Sequence, residues 1–343
     1  MIDASQGDAP FEGAPTGQMQ HHFKEEDLIN DINFGRAHRR RGLRRAAAAA
    51  ALAITATAAL AGPVAAAPAS PNSYTAADCA GRSVPASKIS IQMFSYWGWT
   101  REVGTETVLA ELSDIGYQNV EPFGGTYEGR TAAEFADLLG RYSLKAPTSH
   151  GSTNEAQFGE TLAYAKVIGQ KYTGSGGSAS PGIGTYENTL ATAQALNRLG
   201  GMSKKAGTGK IFVHNHQGEF TNQFADPETG EMKSAWEILV ENTDPRYVTF
   251  QLDVLWAADA GVDVVKLIEE HGDRIELLHV KDGFLNGDAR AIPTDVGEGD
   301  IDWAPVLDAA QGTVKYYVVE RDGAPATREF AEDSFNFLTC YSY

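Results

Sequence analysis

The 343-residue chain is predicted to be an α/β protein, a single (β/α)8 TIM barrel preceded by an export signal. Three observations carry this. From Lys88 onward, short β-prone runs alternate with helix-length amphipathic stretches, the pattern of a parallel α/β fold. The alternation repeats eight times, at roughly 30 residues per unit. With the first 69 residues set aside, the remainder has the length of one large barrel and needs no second domain.

Taken in order, the strands are expected at 89–94 (ISIQMF), 118–122 (QNVEP), 144–148 (LKAPT), 171–173 (KYT), 210–214 (KIFVH), 248–253 (VTFQLD), 275–280 (IELLHV) and 315–320 (KYYVVE). Most are rich in the β-branched and aromatic residues that suit a pleated, buried surface; the fourth, which runs into GSGG, has the least β character. Helices are expected between them at 106–115, 132–141, 155–169, 187–206, 233–241, 262–271, 303–310 and 327–337. After the seventh strand, GFLNGDARAIPTDVGEGD (283–300) reads as a long loop, and long loops in compact domains tend to be functional. The organisation is then a polar extension (1–38), a signal peptide (39–69), a linker (70–87) and the barrel (88–343).

The formal charge is −17, and the first 69 residues hold seven basic and seven acidic residues, so the body carries the whole deficit. Such a body repels phosphate backbones, and no nucleic-acid partner is expected. The leader, RRRGLRRAAAAAALAITATAALAGPVAAAPAS, has a basic start, an alanine-rich stretch and small-residue cleavage options near 65–69. Arg40-Arg41-Gly42-Leu43 resembles a twin-arginine export motif. The stretch is too alanine-rich for a good anchor, so a secreted or extracytoplasmic protein without a stable membrane anchor is expected, with the export machinery as partner. The resemblance implies export in the folded state. Cys79 and Cys340, near the two ends of the body, are expected to form a disulfide across a very long loop. Association into a homo-oligomer is compatible with the sequence.

Chemistry in such a barrel lies at the C-terminal ends of the strands. Those ends carry Glu121, His150, the run His214-Asn215-His216 with Glu219, then Asp253, His279 with Lys281 and Asp282, and Glu320. Each has a plainer use. Glu121 suits a helix cap as well as a site, and His150 suits a hydrogen-bonded core. Asp253 and Glu320 follow apolar runs and are costly to bury without a cation, a donor or a metal. Carboxylates with imidazole and no thiolate suit Mn²⁺, Mg²⁺, Co²⁺ or Zn²⁺. An ion with open positions would polarise a substrate carbonyl while a neighbouring carboxylate or histidine removes the adjacent proton.

The blocks HNHQGEF, DVLWAADAGVD, RIELLHVKD, VGEGDIDW and YYVVERD resemble, in order and spacing, the strand-end blocks of the xylose-isomerase-like TIM barrel superfamily, within it the sugar phosphate isomerase/epimerase family. The resemblance covers about residues 88–335. It implies a metal site of Glu, Asp, His and Glu from the fifth to eighth strands, with Mn²⁺ as the expected ion. Asp253, His279 and Glu320 match that pattern. The fifth strand departs from it, because the family's glutamate position reads His214 here. Either His214 or His216 ligates the ion, or Glu219 reaches in from the following turn. Glu219 is the expected ligand, since a third carboxylate keeps the family's charge.

His214 and His216 are then expected to be substrate-facing donors or bases, alongside Glu320. Lys281 is expected to bind a substrate oxygen or to pair with Asp253 or Glu320. Glu121 and His150 are expected to contact substrate, and Trp256, with YWGW (96–99), to form an apolar wall against a sugar ring. The implied activity is metal-dependent isomerisation or epimerisation of a small unphosphorylated sugar or keto-sugar. A lyase, dehydratase or hydrolase acting on a 3-keto glycoside is the alternative on the same scaffold, and an exported sugar-binding barrel without turnover is another.

Overall fold

The computed structural model describes residues 83–287 and 289–340. The extension, the export signal, most of the linker and Cys79 lie outside the described residues, as does its expected bond to Cys340.

Six parallel strands form one sheet: β1 (Ile89–Ile91), β2 (Tyr172–Ser175), β3 (Lys210–His214), β6 (Val248–Asp253), β7 (Ile275–Val280) and β10 (Tyr316–Val319), in the order β1-β10-β7-β6-β3-β2. The expected second and third strands are reduced to isolated parallel bridges. Gln92 bridges to Glu121, Asn119 to Lys145, and His150 to Phe123 and Gly174. These bridges join β1 to β2 through 119–123 and 145–150, so the six strands and two bridged segments form a ring. Proline explains the reduction. Pro122 and Pro147 have no N–H to give to a ladder. The Pro147 carbonyl instead accepts from both Lys171 (2.7 Å) and Tyr172 (3.0 Å).

Helices follow the strands: α1 (Trp97–Val103), α2 (Thr105–Ile115), α3 (Ala132–Arg141), α4 (Phe158–Ile168), α5 (Tyr186–Ala206), α6 (Gly218–Thr221), α7 (Ala235–Asn242), α8 (Val254–Asp259), α9 (Val264–His271), α10 (Trp303–Ala309) and α11 (Glu329–Thr339). Their buried faces, such as Phe135, Leu138 and Leu139 of α3, join outward-facing strand residues in one core. The expected helix at 262–271 starts later and is preceded by α8, because Asp253 caps one helix and Asp263 the next. Two antiparallel hairpins lie outside the sheet: β4 (Gln223–Ala225) with β5 (Met232–Ser234), and β8 (Asp282–Asn286) with β9 (Ala289–Thr294). The second replaces much of the loop expected at 283–300. Its turn lies between the paired Asn286 and Ala289 and opens with Gly287 at φ +58°, a left-handed position that suits glycine.

Two glycines set close approaches at opposite ends of the ring. A Cβ on Gly174 would collide with the Phe212 ring, and one on Gly209, at φ +78°, would overlap the Lys171 carbonyl oxygen. At the N-terminal end of the strands, Tyr172 donates to Glu276 at 2.6 Å and Lys210 pairs with the same carboxylate. At the C-terminal end lie the strand-end residues singled out above.

Candidate metal centre and active site

Parallel register places Asp253 opposite His279 and His279 opposite Val318, two residues before Glu320. Ligand atoms of Asp253, His279 and Glu320 all lie within 4.8 Å of one another, and the three side chains are buried. His279 sits between two carboxylates. Its Nδ1–H donates to Glu320 Oε2 (2.9 Å) and its Nε2–H to Glu121 Oε1 (2.9 Å). Burial alone would lower its pKa, but Glu320 and Glu121 hold it well above the usual histidine value.

Lys281 is also buried, with its ammonium 2.7 Å from Glu320 Oε2, 3.3 Å from Asp253 Oδ2 and 3.3 Å from Asp322 Oδ2. Burial would lower its pKa, and those carboxylates outweigh it and raise it. For Glu320 the balance runs the other way. Burial would raise its pKa, yet Lys281 and His279 keep it well below the usual carboxylate range.

Asp253 is held by both neighbours. Asn215 Oδ1 accepts from the Asp253 N–H (2.8 Å) and Asn215 Nδ2 donates to the Asp253 carbonyl, stitching β3 to β6. Asp253 Oδ1 accepts from Trp256 N at 3.1 Å and starts α8. Its Oδ2 is buried without a hydrogen-bond partner; at 3.3 Å the Lys281 ammonium supplies charge but no hydrogen-bond geometry. A buried carboxylate oxygen without a hydrogen-bond partner, beside a second carboxylate and a histidine that would release its Nδ1 proton on ligation, is a donor set that fits a divalent cation. The Glu121–His279 bond fixes the ring from behind, as metal-ligating histidines require.

Glu121 was expected to meet substrate, but it lies beneath the histidines with no exposed surface. Its carboxylate accepts from Gln92 (2.7 Å), Gln251 (2.8 Å) and His279, with His150 Nε2 at 3.1 Å. Burial would raise its pKa, but His150 and His279 pull it down to about 2. Burial lowers the His150 pKa, against the pull of the Glu121 carboxylate. His150 Nε2–H also donates to Gln251 Oε1 (2.9 Å), and its ring stacks on His279 at 5.2 Å.

On the fifth strand the three candidates separate. Both Glu219 oxygens are occupied nearby, by the His216 N–H (2.8 Å) and the Ser178 hydroxyl (3.1 Å). Among the described residues two groups of three metal-competent side chains occur, the one above and His150, His214 and His279. Glu219 belongs to neither, so the structure does not bring it to the expected ligand set; its short reach serves its own turn. His214 Nδ1, by contrast, is buried without a partner. Burial and the neighbouring imidazoles hold its pKa well below the ordinary value, and burial with Lys281 lowers that of His216.

Trp256 is fully buried, and its ring lies under Lys281 (5.1 Å) and Arg290 (4.4 Å) rather than standing open as a wall. An aromatic surface exists instead at Trp97, which is 38% exposed and stacks on Phe123 at 5.3 Å. Gln92, Gln251 and Asp322 were not singled out from the sequence, and Asn215 was named there without a role. The first two were visible as inward polar residues in otherwise apolar strands; Asp322, beyond the last strand, had no such signal.

Fold and site together define a parallel barrel with a cation-competent cluster at its strand ends. The chain belongs to the xylose isomerase-like TIM barrel family, whose model matches residues 109–339. Among curated proteins it is similar to an inosose dehydratase of Geobacillus thermodenitrificans, 30% identical over 160 residues, covering 41% of this chain and 50% of that one. The match thus spans about half the length of that relative. Among solved structures, a sugar phosphate isomerase/epimerase from Parabacteroides distasonis superposes with a TM-score of 0.61 at 22% identity, covering 78% of this chain and 99% of that one. An IolI protein with a bound zinc atom superposes at 0.52 and 16% identity, covering 74% and 95%. At these identities the two structures speak for the fold.

Proposed function

We propose that the chain is a divalent-metal-dependent isomerase or epimerase of a small, unphosphorylated keto-sugar. The observation that carries this is the convergence of Asp253, His279 and Glu320 within 4.8 Å, with a buried Asp253 oxygen left over. Asp253, His279 and Glu320 would hold the ion, which would supply positive charge beside a substrate carbonyl and ease loss of the proton on the neighbouring carbon. Glu320, kept ionised at neutral pH by Lys281 and His279, is suited to take that proton. His216, kept neutral by burial, is suited to carry a proton at the partly exposed side of the cluster. Lys281 offers its ammonium to a substrate oxygen, and Glu121 orients His279. Cations near the site are already matched to carboxylates, Arg321 to Asp295 and Arg290 to Asp322, which supports a substrate without phosphate. Export, as the leader implies, supports the same restriction, and Mn²⁺ remains the expected ion.

Calorimetric titration with Mn²⁺ tests the ligand set. Asp253→Asn should weaken binding at least about 100-fold, more than loss of a supporting residue, while Glu219→Gln stays within about threefold. A Glu219→Gln variant that binds no manganese would restore the glutamate to the site.

A second reading is elimination, with a leaving group departing from the carbon β to the carbonyl. The similarity to an inosose dehydratase favours it, as does the second, neutral imidazole at His214. Turnover in deuterated water separates the two. An isomerase or epimerase should place deuterium at the α-carbon with the carbon skeleton and its substituents intact. A lyase should release aglycone from a 3-keto glucoside. Mn²⁺-loaded protein that binds keto-sugars but does neither would overturn both readings.

A further inference from the structure

The opposite end of the barrel carries a feature that the proposed chemistry does not use. Where the strands begin, a cavity of roughly 540 Å³ is lined by Lys88, Lys171, Lys210 and Lys315, with Tyr172, Tyr316 and Glu276. It is an open depression rather than an enclosed pocket. Four lysines around one opening are out of character for a chain of net charge −17. They gather because lysine starts or immediately precedes four of the parallel strands. Register puts Lys210 beside Tyr172, and Lys315 N–H donates to the Glu276 carbonyl at 2.7 Å. Gly209, whose backbone lies against Lys171, leaves no room for a side chain between the fourth and fifth strands.

The charge in this cavity is not balanced from within. Its single carboxylate, Glu276, is shared by Lys210 and the Tyr172 hydroxyl. Among the described residues Lys88 donates only to the Val314 carbonyl, at 3.3 Å, which cancels no charge. Lys171 and Lys315 have no ion-pair or side-chain hydrogen-bond partner among the described residues, and neither has the Tyr316 hydroxyl. About three positive charges therefore face one opening with hydroxyl and ammonium donors to spare. Like charges gathered at one opening repel, and an anion among them relieves that repulsion.

We propose that the barrel floor is a second ligand site, for a compact oxyanion of two or more charges, of the phosphate or sulfate class. It is independent of the metal cluster, which lies at the other end of the strands.

The test is calorimetric titration of the full chain with inorganic phosphate, and separately with sulfate, at low ionic strength. One saturable site is expected. The double variant Lys171→Met/Lys315→Met, which changes two exposed side chains, should weaken it at least about tenfold, as two charge-assisted contacts are lost. Glu276→Gln, which removes the one carboxylate among the described lining residues, should tighten it several-fold. This opposite sign cannot come from a variant that merely folds poorly. Absence of saturable binding, equal binding by the double variant, or equal heat from sodium chloride at matched ionic strength would each overturn the proposal.

Discussion

Glu320→Gln should lower kcat/KM on the keto-sugar substrate by about 10³-fold or more, with little change in fold. The substitution is nearly isosteric, so packing at the end of β10 is preserved. What disappears is the charge that faces both the Lys281 ammonium at 2.7 Å and His279 at 2.9 Å. The amide is no base, and it is a weaker donor to a divalent ion. Asp253 is then left as the single carboxylate among the three ligands. Steady-state rates with circular dichroism as a folding control check this. If the variant keeps more than about a tenth of wild-type turnover, Glu320 is neither base nor ligand.

Loss of Glu121 should act on stability first. Glu121→Leu strips an acceptor from Gln92, Gln251 and the His279 Nε2–H at once, all inside the barrel. Breaking a buried charged pair costs about 3–5 kcal/mol, which for a domain of this size lowers Tm by roughly 6–20 °C. The pH profile carries a matching sign. The Glu121 carboxyl titrates at about 2 when folded against an ordinary 4.5, a depressed value. Its contribution is therefore fully present above about pH 4.5 and is lost as pH falls towards about 2. That shift corresponds to about 3 kcal/mol, in line with the mutational figure. Urea denaturation of the chelator-treated protein between pH 2.5 and 6 measures both. Equal acid sensitivity in wild type and Glu121→Leu would show that Glu121 is not held ionised by the histidines.

Much of the scaffold was legible from local pattern. KIFVH, VTFQLD and IELLHV became β3, β6 and β7 at the expected bounds, and the helix at 132–141 became α3. The reading failed where a single residue type overrode the pattern. Pro122 and Pro147 reduced two strands to bridges, and Asp253 started a helix of its own by capping α8. The Asn286-Gly287 turn made a hairpin of a stretch whose glycines and aspartates suggested loop.

Strand order and the kind of side chain at each strand end are written in the chain itself, because both follow from short-range alternation and from the β-strand period of two. Hence a parallel barrel with a belt of Glu, His and Asp could be read before any coordinates were known. Which of those groups has an atom to spare is a different matter, settled by partners far apart in sequence. Ser178 and the His216 amide use up Glu219, Asn215 anchors Asp253 and leaves Oδ2 without a hydrogen bond, and Glu121 turns from a rim residue into the support of His279, 158 positions away. Burial makes those assignments binding, since a polar atom removed from water must be matched by whatever the fold brings beside it.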